Sequence, residues 1–209
     1  MARKEEEHQQ EERPVLRLAS ASPRRRQLLA LIGVPHVVTP ADIDEAPRAG
    51  ETPAQYVQRL AAGKAAAIWA IHQDLPVLGA DTTVVIDGEI LGKPESLADA
   101  RRMLGKLSGR THEVHTGLAL QTSGGSSTAI ASTQVSFANL SAAQIDDYWA
   151  SGEPQGKAGA YAIQGLGAVF VRNIGGSYTA VVGLPLYETA EMLGRAGIPV
   201  WNKMSRGAD

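Results

Sequence analysis

Hydrophobic positions along the chain fall into short strand-like runs and helical stripes. VLRLAS, from Val15, predicts a short strand that runs into SPRRRQLLALIG, a helix with Ser22 as candidate N-cap, Pro23 at its first position and Gly33 beyond its end. HVV at 36–38 is a second short strand, followed by the acidic loop DIDEAPRAGE. A longer helix starts at Thr52, with Pro53 at its first position and Gln55 completing a capping box. Its stripe is Tyr56, Val57, Leu60, Ala61, Lys64, Ile68 and Ile71. VLGADTTVVIDGEIL reads as strand material with a turn at Asp87-Gly88. Ser96 caps a helix whose stripe is Leu97, Ala100, Met103, Leu104 and Leu107.

THEVHTGLALQ and TAIASTQVSFANL form a further hairpin around Gly124-Gly125, and Ser141 with Gln144 starts a helix that ends near Gly152. The glycine-rich stretch from Glu153 to Pro185 contains two predicted strands, AVFVRNI and YTAVV, and LYETAEMLGRAG is a terminal helix. Helices interleaved with strand pairs predict an α/β fold, a mixed twisted sheet flanked by helices. We expect a polar tail over residues 1–13 and a single domain over 14–209, with room for two lobes around a cleft.

Composition narrows the function classes. Aromatics make up 5% of the chain, so the core must rest on Ala, Val, Leu and Ile. With no cysteine, disulfides, thiolate metal sites and cysteine nucleophiles are excluded. A net charge of −2 argues against a protein that coats nucleic acid. No apolar run approaches the ~18 residues of a membrane span, and MARKEEEHQQEERP has no secretory h-region, so neither membrane nor nucleic acid is an expected partner and the cytoplasm is the expected compartment.

Residues able to carry chemistry interrupt this pattern in several places. Ser20-Ala21-Ser22-Pro23-Arg24-Arg25-Arg26 stands at a strand-to-helix junction, where unpaired N–H groups and the helix dipole favour an anion. Arginines there oppose the dipole by about 0.3–1 kcal/mol each unless an anion such as triphosphate compensates. Successive helical residues point ~100° apart, so at most two arginines serve one anion, and Arg24 and Arg25 are favoured. A capped helix with solvated arginines is the alternative.

Asp81, inside apolar LGADTTVVI, must be paired, metal-bound or protonated if it is buried, or else cap a turn at a strand end. Lys64, on or beside an apolar stripe, needs an anionic partner or a route to solvent. Lys93, in GKP, is a second candidate cation or an exposed loop lysine. Asp42, Asp44 and Glu45 can supply a carboxylate to magnesium, or form a plain solvated loop.

Other arrangements fail. His112 and His115 lie three apart in a strand and face opposite sides. Gly165-Leu166-Gly167 precedes a strand and opens no helix, and there is neither a P-loop nor a G-x-S-x-G elbow.

With these residues in view, the chain resembles the Maf family of nucleotide pyrophosphatases. The motifs LASASPRR, RLAAGKA, LGADTTV, GKP, LSGRTHEVHTGLAL, SGEPQGKAGAYAIQGLGAVFV and IGGSYTAVVGLPLYET follow one another from Leu16 to about Leu193. The resemblance implies an inosine-triphosphatase-like fold and hydrolysis between the α- and β-phosphates with a divalent cation, magnesium or manganese. It implies that Asp81 is the catalytic acidic residue, that Glu45 shares the metal or water with it, and that Ser20, Ser22, Arg24, Arg25, Lys64 and Lys93 hold phosphates.

AYAIQG and GSYTAVVGLP resemble the branch that prefers dTTP and UTP, in which Arg24, Thr82 and Gln164 are the specificity positions. A glutamine amide can accept from N3–H and donate to O4 of thymine or uracil, a pairing that cytosine cannot satisfy in the same orientation. A homodimer is the family-level expectation. Two readings compete: a nucleotide-binding regulator of septum formation, which has no need of Asp81, Lys64, Lys93 and Glu45 together, and a pyrophosphatase whose substrates are modified or damaged nucleotides, modified pyrimidine nucleotides among them.

Overall fold

A computed structural model describes residues 13–201, so all but Arg13 of the expected polar tail, and residues 202–209, lie outside the described residues. The described residues build a seven-stranded mixed sheet flanked by helices, the α/β class that the pattern predicts. In chain order its elements are β1 (Leu16–Leu18), α1 (Pro23–Leu31), β2 (His36–Val38), α2 (Pro53–Trp69), β3 (Val77–Ile86) and β4 (Glu89–Leu91). There follow α3 (Leu97–Leu107), β5 (Thr111–Thr122), β6 (Gly125–Phe137), α4 (Ala142–Ala150), β7 (Val171–Gly175), α5 (Tyr178–Val182) and α6 (Leu186–Arg195).

Local chemistry sets the best-defined boundaries. Thr52 and Gln55 close a reciprocal capping box at α2, and Ser141 and Gln144 do the same at α4. Asp87 and Gly88 both take positive φ, 52° and 77°, which is the two-residue turn that matches the twist of the β3–β4 hairpin.

Three predictions need correction. YTAVV is helix α5: Ser177 accepts the Ala180 N–H and Gly183 ends the turn at φ 125°. Packing decides against its β-branched composition, because Ala180 is fully buried and its carbonyl accepts the Thr116 hydroxyl from β5. Within AVFVRNI, Ala168 to Phe170 belong to a 3₁₀ turn, and the strand begins at Val171. Ser22 occupies the N-cap position of α1 but makes no side-chain capping bond.

The sheet order is β2-β1-β3-β5-β6-β7, parallel from β2 to β3 and antiparallel beyond. β1 pairs with β3 at residues 77 and 78, and β4 pairs with the same edge at 84–86. Between them, that edge of β3 has no partner strand, and Asp81 lies at the middle of the gap.

Even-numbered β3 residues (Leu78, Ala80, Val84) face the larger apolar core with Leu28, Leu29, Leu104 and Leu184. Odd-numbered ones face α2, where Val77 and Ala119 meet Ala61, Ala65 and Ile68. Small residues draw that helix close. A Cβ at Gly79 would stand 2.2 Å from the Ala61 carbonyl oxygen, and one at Gly117 would stand 2.5 Å from that of Val57. Both neighbours are backbone that cannot step aside.

Candidate active site

The close approach of α2 to β3 puts Lys64 over Asp81. Asp81 follows Gly79 on the same face of β3 and pairs with Gly117, so no bulk separates it from the helix. Both side chains are largely buried, and Lys64 Nζ donates to Asp81 Oδ1 at 2.7 Å. The same ammonium meets Glu45 Oε1 at 2.6 Å. Of the two readings open for Lys64, the structure gives anionic partners.

Glu45 reaches this point from the loop between β2 and α2, which α2 straps down. Tyr56 Oη donates to the Glu45 carbonyl at 3.0 Å, and Arg59 Nη2 donates to that of Ala46 at 3.0 Å. Arg59 is itself braced by both oxygens of Glu51, at 2.6 and 2.7 Å. Burial pushes the Glu45 carboxyl up, but the Lys64 hydrogen bond and the charges of Lys64, Lys93 and Arg25 together hold it below its ordinary value. Asp42 and Asp44 remain exposed, and Asp44 caps its own loop by accepting the Ala46 N–H.

The start of α1 forms the opposite wall. Arg25 does not extend freely into the cleft. Its Nε donates to the Gly183 carbonyl at 2.7 Å, its Nη1 to Ser20 Oγ at 3.1 Å and its Nη2 to Thr82 Oγ1 at 3.1 Å. Thr116 gives its single hydroxyl proton to the Ala180 carbonyl at 2.8 Å, so in the 2.9 Å contact between Thr82 and Thr116 the donor is Thr82. A directed chain therefore runs from Arg25 through Thr82 and Thr116 to α5, and the Thr82 proton is already engaged. Burial lowers the Arg25 pKa; Asp81 opposes that shift, Arg24 adds to it and Glu45 opposes it.

Arg24 is half-buried, and burial holds its pKa below the ordinary value against the opposing charge of Glu153. Both arginines favoured for an anion line the cleft, and Arg25 also braces its wall through three hydrogen bonds. Ser20 is buried, and its Oγ accepts from both Arg25 and the Ser22 N–H.

The cleft between these walls has a volume of about 600 Å³, within the range of small-molecule sites. Ser20, Ser22, Arg24, Arg25, Glu45, Lys64, Asp81, Thr82, Lys93 and Gln164 all line it, so every predicted site residue is brought to one place. Lys93 and Gln164 are exposed within it. His112 and His115 are kept apart on opposite faces of β5, as expected. His112 Nε2 meets Tyr161 Oη at 2.9 Å and His115 Nδ1 meets Ser132 Oγ at 2.7 Å.

Sequence reasoning missed several residues of this site. Tyr56 lines the cleft, and burial together with the Asp81 and Glu45 charges raises its pKa. Its position two helical turns before Lys64 is the signal that could have found it. Lys157 also lines the cleft, its pKa lowered by burial and by neighbouring Arg24. Tyr148 and Glu153 lie behind the Gln164 loop and hydrogen-bond its backbone.

Fold and site together define a class: an α/β protein whose cation-lined cleft surrounds a carboxylate pair, the arrangement of an enzyme acting on a polyanion. The family model described as Maf-like protein matches residues 15–196, and the chain belongs to that family, as its motifs suggested. It is 52% identical to a dTTP/UTP pyrophosphatase of Pseudoalteromonas atlantica, over 88% of this chain and 98% of that one. It is 53% identical to a dTTP/UTP pyrophosphatase of Bordetella parapertussis, over 90% of this chain and 95% of that one. Among solved structures, the Staphylococcus aureus Ham1 protein matches with a TM-score of 0.44 at 16% identity, over 59% of this chain and 72% of that one.

Proposed function

We propose that this protein hydrolyses dTTP and UTP to the nucleoside monophosphate and pyrophosphate. The observation that carries the reading is one ammonium, Lys64, holding the Asp81 and Glu45 carboxylates together at the open edge of β3, opposite the α1 helix start. The names of the relatives supply the substrate class.

In the proposed reaction Asp81 orients a water and takes a proton from it as the water oxygen bonds to the α-phosphorus. The bond from that phosphorus to the α–β bridging oxygen breaks, and pyrophosphate leaves with the electron pair. Arg24, Lys64 and Lys93 stabilise the charge on the leaving group, helped by the N–H groups at the uncapped start of α1. Arg25 holds Thr82 and Ser20 in place. Gln164 reads the base.

Asp81 and Glu45 each give one carboxylate oxygen to the Lys64 ammonium, and the second oxygen of each is a hard donor of the kind that suits magnesium or manganese. No group of three or more His, Cys, Asp or Glu fit to hold a metal occurs among the described residues, so a cation would take these two carboxylates and complete its shell from phosphate and water. Such a cation, when bound, neutralises phosphate charge.

The test is Asp81→Asn, assayed for pyrophosphate release from dTTP and UTP with magnesium or manganese. It should bind nucleotide with near-normal affinity and lose turnover by a factor of about 100 or more. Near-normal turnover would remove Asp81 from catalysis. A wild-type protein inactive on every nucleotide and metal would favour the regulatory reading.

A further inference from the structure

The loop that carries Gln164 rests on a floor with no part in the chemistry proposed above. Glu153 lies beneath it: Oε2 accepts the Leu166 N–H at 2.9 Å, and Oε1 accepts the Gly167 N–H at 3.0 Å and the Tyr148 hydroxyl at 2.8 Å. Tyr148 Oη in turn accepts the Ala162 N–H at 3.0 Å. Two linked side chains thus fix the backbone on both sides of Gln164.

The loop glycines record how close they come. A Cβ at position 165 would stand 2.1 Å from Glu153 Oε2, and one at 167 would stand 2.6 Å from Tyr148 Oη. Burial pushes the Glu153 carboxyl up, but the N–H groups of Gly167 and Leu166 and the Tyr148 hydroxyl hold it below its ordinary value, so it is an ionised acceptor. Neither Glu153 nor Tyr148 lines the cleft, whereas Gln164 is exposed in it.

We infer that Glu153, acting with Tyr148, is a positioning residue for base selection, fixing the loop backbone that aims the Gln164 amide. The inference rests on the pyrophosphatase reading and adds to it a residue that sets the margin of discrimination. An amide separates thymine from cytosine only if its oxygen and nitrogen are held in place before the base arrives. A slack loop lets it move to suit either base.

The experiment measures kcat and KM for dTTP and dCTP with Glu153→Gln, Tyr148→Phe and the double variant, together with amide hydrogen exchange over residues 162–167. Glu153→Gln puts an NH2 group against an N–H donor. It should quicken exchange at Leu166 and Gly167 and cut the dTTP-to-dCTP ratio of kcat/KM by about tenfold or more. The loss should fall chiefly on KM for dTTP.

Tyr148→Phe, which keeps the ring against Phe170, should act in the same direction, and the double variant should fall short of the product of the two. If Glu153→Gln does not fold, Tyr148→Phe gives the same readout. A ratio held within about twofold while loop exchange quickens, or an equal fall in kcat on both substrates, overturns the inference. A wild type that cleaves no nucleotide overturns the pyrophosphatase reading instead, and the same ratio is then taken from dTTP and dCTP binding by calorimetry.

Discussion

Replacing Lys64 by Met tests the centre of the site. The substitution conserves most of the volume and removes one charge, leaving Asp81 and Glu45 facing each other. The Lys64 and Asp81 side chains are 10% and 12% exposed, and stripping one partner from a buried pair costs about 3–5 kcal/mol. Glu45 is 44% exposed, and its share is screened to about 0–1 kcal/mol. For a domain of this size, a loss of 3–5 kcal/mol lowers the melting temperature by roughly 6–20 °C.

The assay is thermal unfolding at pH 7 of the wild type, Lys64→Met, Asp81→Asn and the double variant. Asp81→Asn leaves the ammonium beside Glu45 and should cost less. Adding it to Lys64→Met removes the stranded charge, so the double variant should be destabilised by about 1–3 kcal/mol less than the sum of the singles.

The pH dependence carries a sign. The Glu45 pKa is lowered from 4.5 on folding, so Glu45 adds stability above pH 4.5 that fades as the pH falls through its folded value. The Lys64 hydrogen bond is a principal cause of that lowering. The gap between wild type and Lys64→Met should therefore narrow on going from neutral pH to about pH 4. A gap under about 1 kcal/mol at pH 7, or effects additive within about 0.5 kcal/mol, would refute the reasoning.

Two further perturbations separate the walls of the cleft. Gly79→Ala drives a Cβ into the α2 backbone and should destabilise by about 1–3 kcal/mol, and moving Lys64 off Asp81 should cut kcat/KM by roughly a hundredfold. Activity within about twofold of wild type would show that the helix spacing is not needed. Arg25→Lys keeps the charge but cannot reproduce the fork to Gly183, Ser20 and Thr82, so it should lower both stability and kcat/KM, whereas Arg24→Lys should mainly raise KM. Equal stability losses in the two would contradict the division of roles.

What is legible in the sequence follows from the range of the interactions. The capping boxes at Thr52 and Ser141 and the Asp87-Gly88 turn are written within four residues, and each is found where the pattern placed it. Helix α5 was hidden because its composition favours a strand and its packing against Thr116 is remote in sequence. Lys64 stood out as a cation on an apolar stripe. Its choice between solvent and a partner is made by Glu45, on a separate loop, and by Asp81, on the next strand. The ordered motifs brought together the residues of one cleft but could not disclose that three Arg25 donors are held by Gly183, Ser20 and Thr82. Glu153 is illegible in the sequence for a similar reason, since its partners are the N–H groups of a loop more than ten residues away.

The architecture of β3 favours position 81 for the carboxylate. Residues 77 and 78 are covered by β1 and 84–86 by β4, so the free edge runs from 79 to 83. Within it, Ala80 and Thr82 point away from α2, Ala80 into the main core and Thr82 into the chain of hydroxyls leading to α5. Position 79 has no room for a side chain beneath the Ala61 carbonyl, and position 83 stands opposite His115 where 81 stands opposite a glycine. Position 81 combines an open strand edge, a glycine opposite it at 117 and a helix near enough to bring a lysine into hydrogen-bonding distance. A carboxylate there meets Lys64 and the cleft at once, whereas one at position 80 would face the main core and one at 82 would replace the hydroxyl that links Arg25 to Thr116.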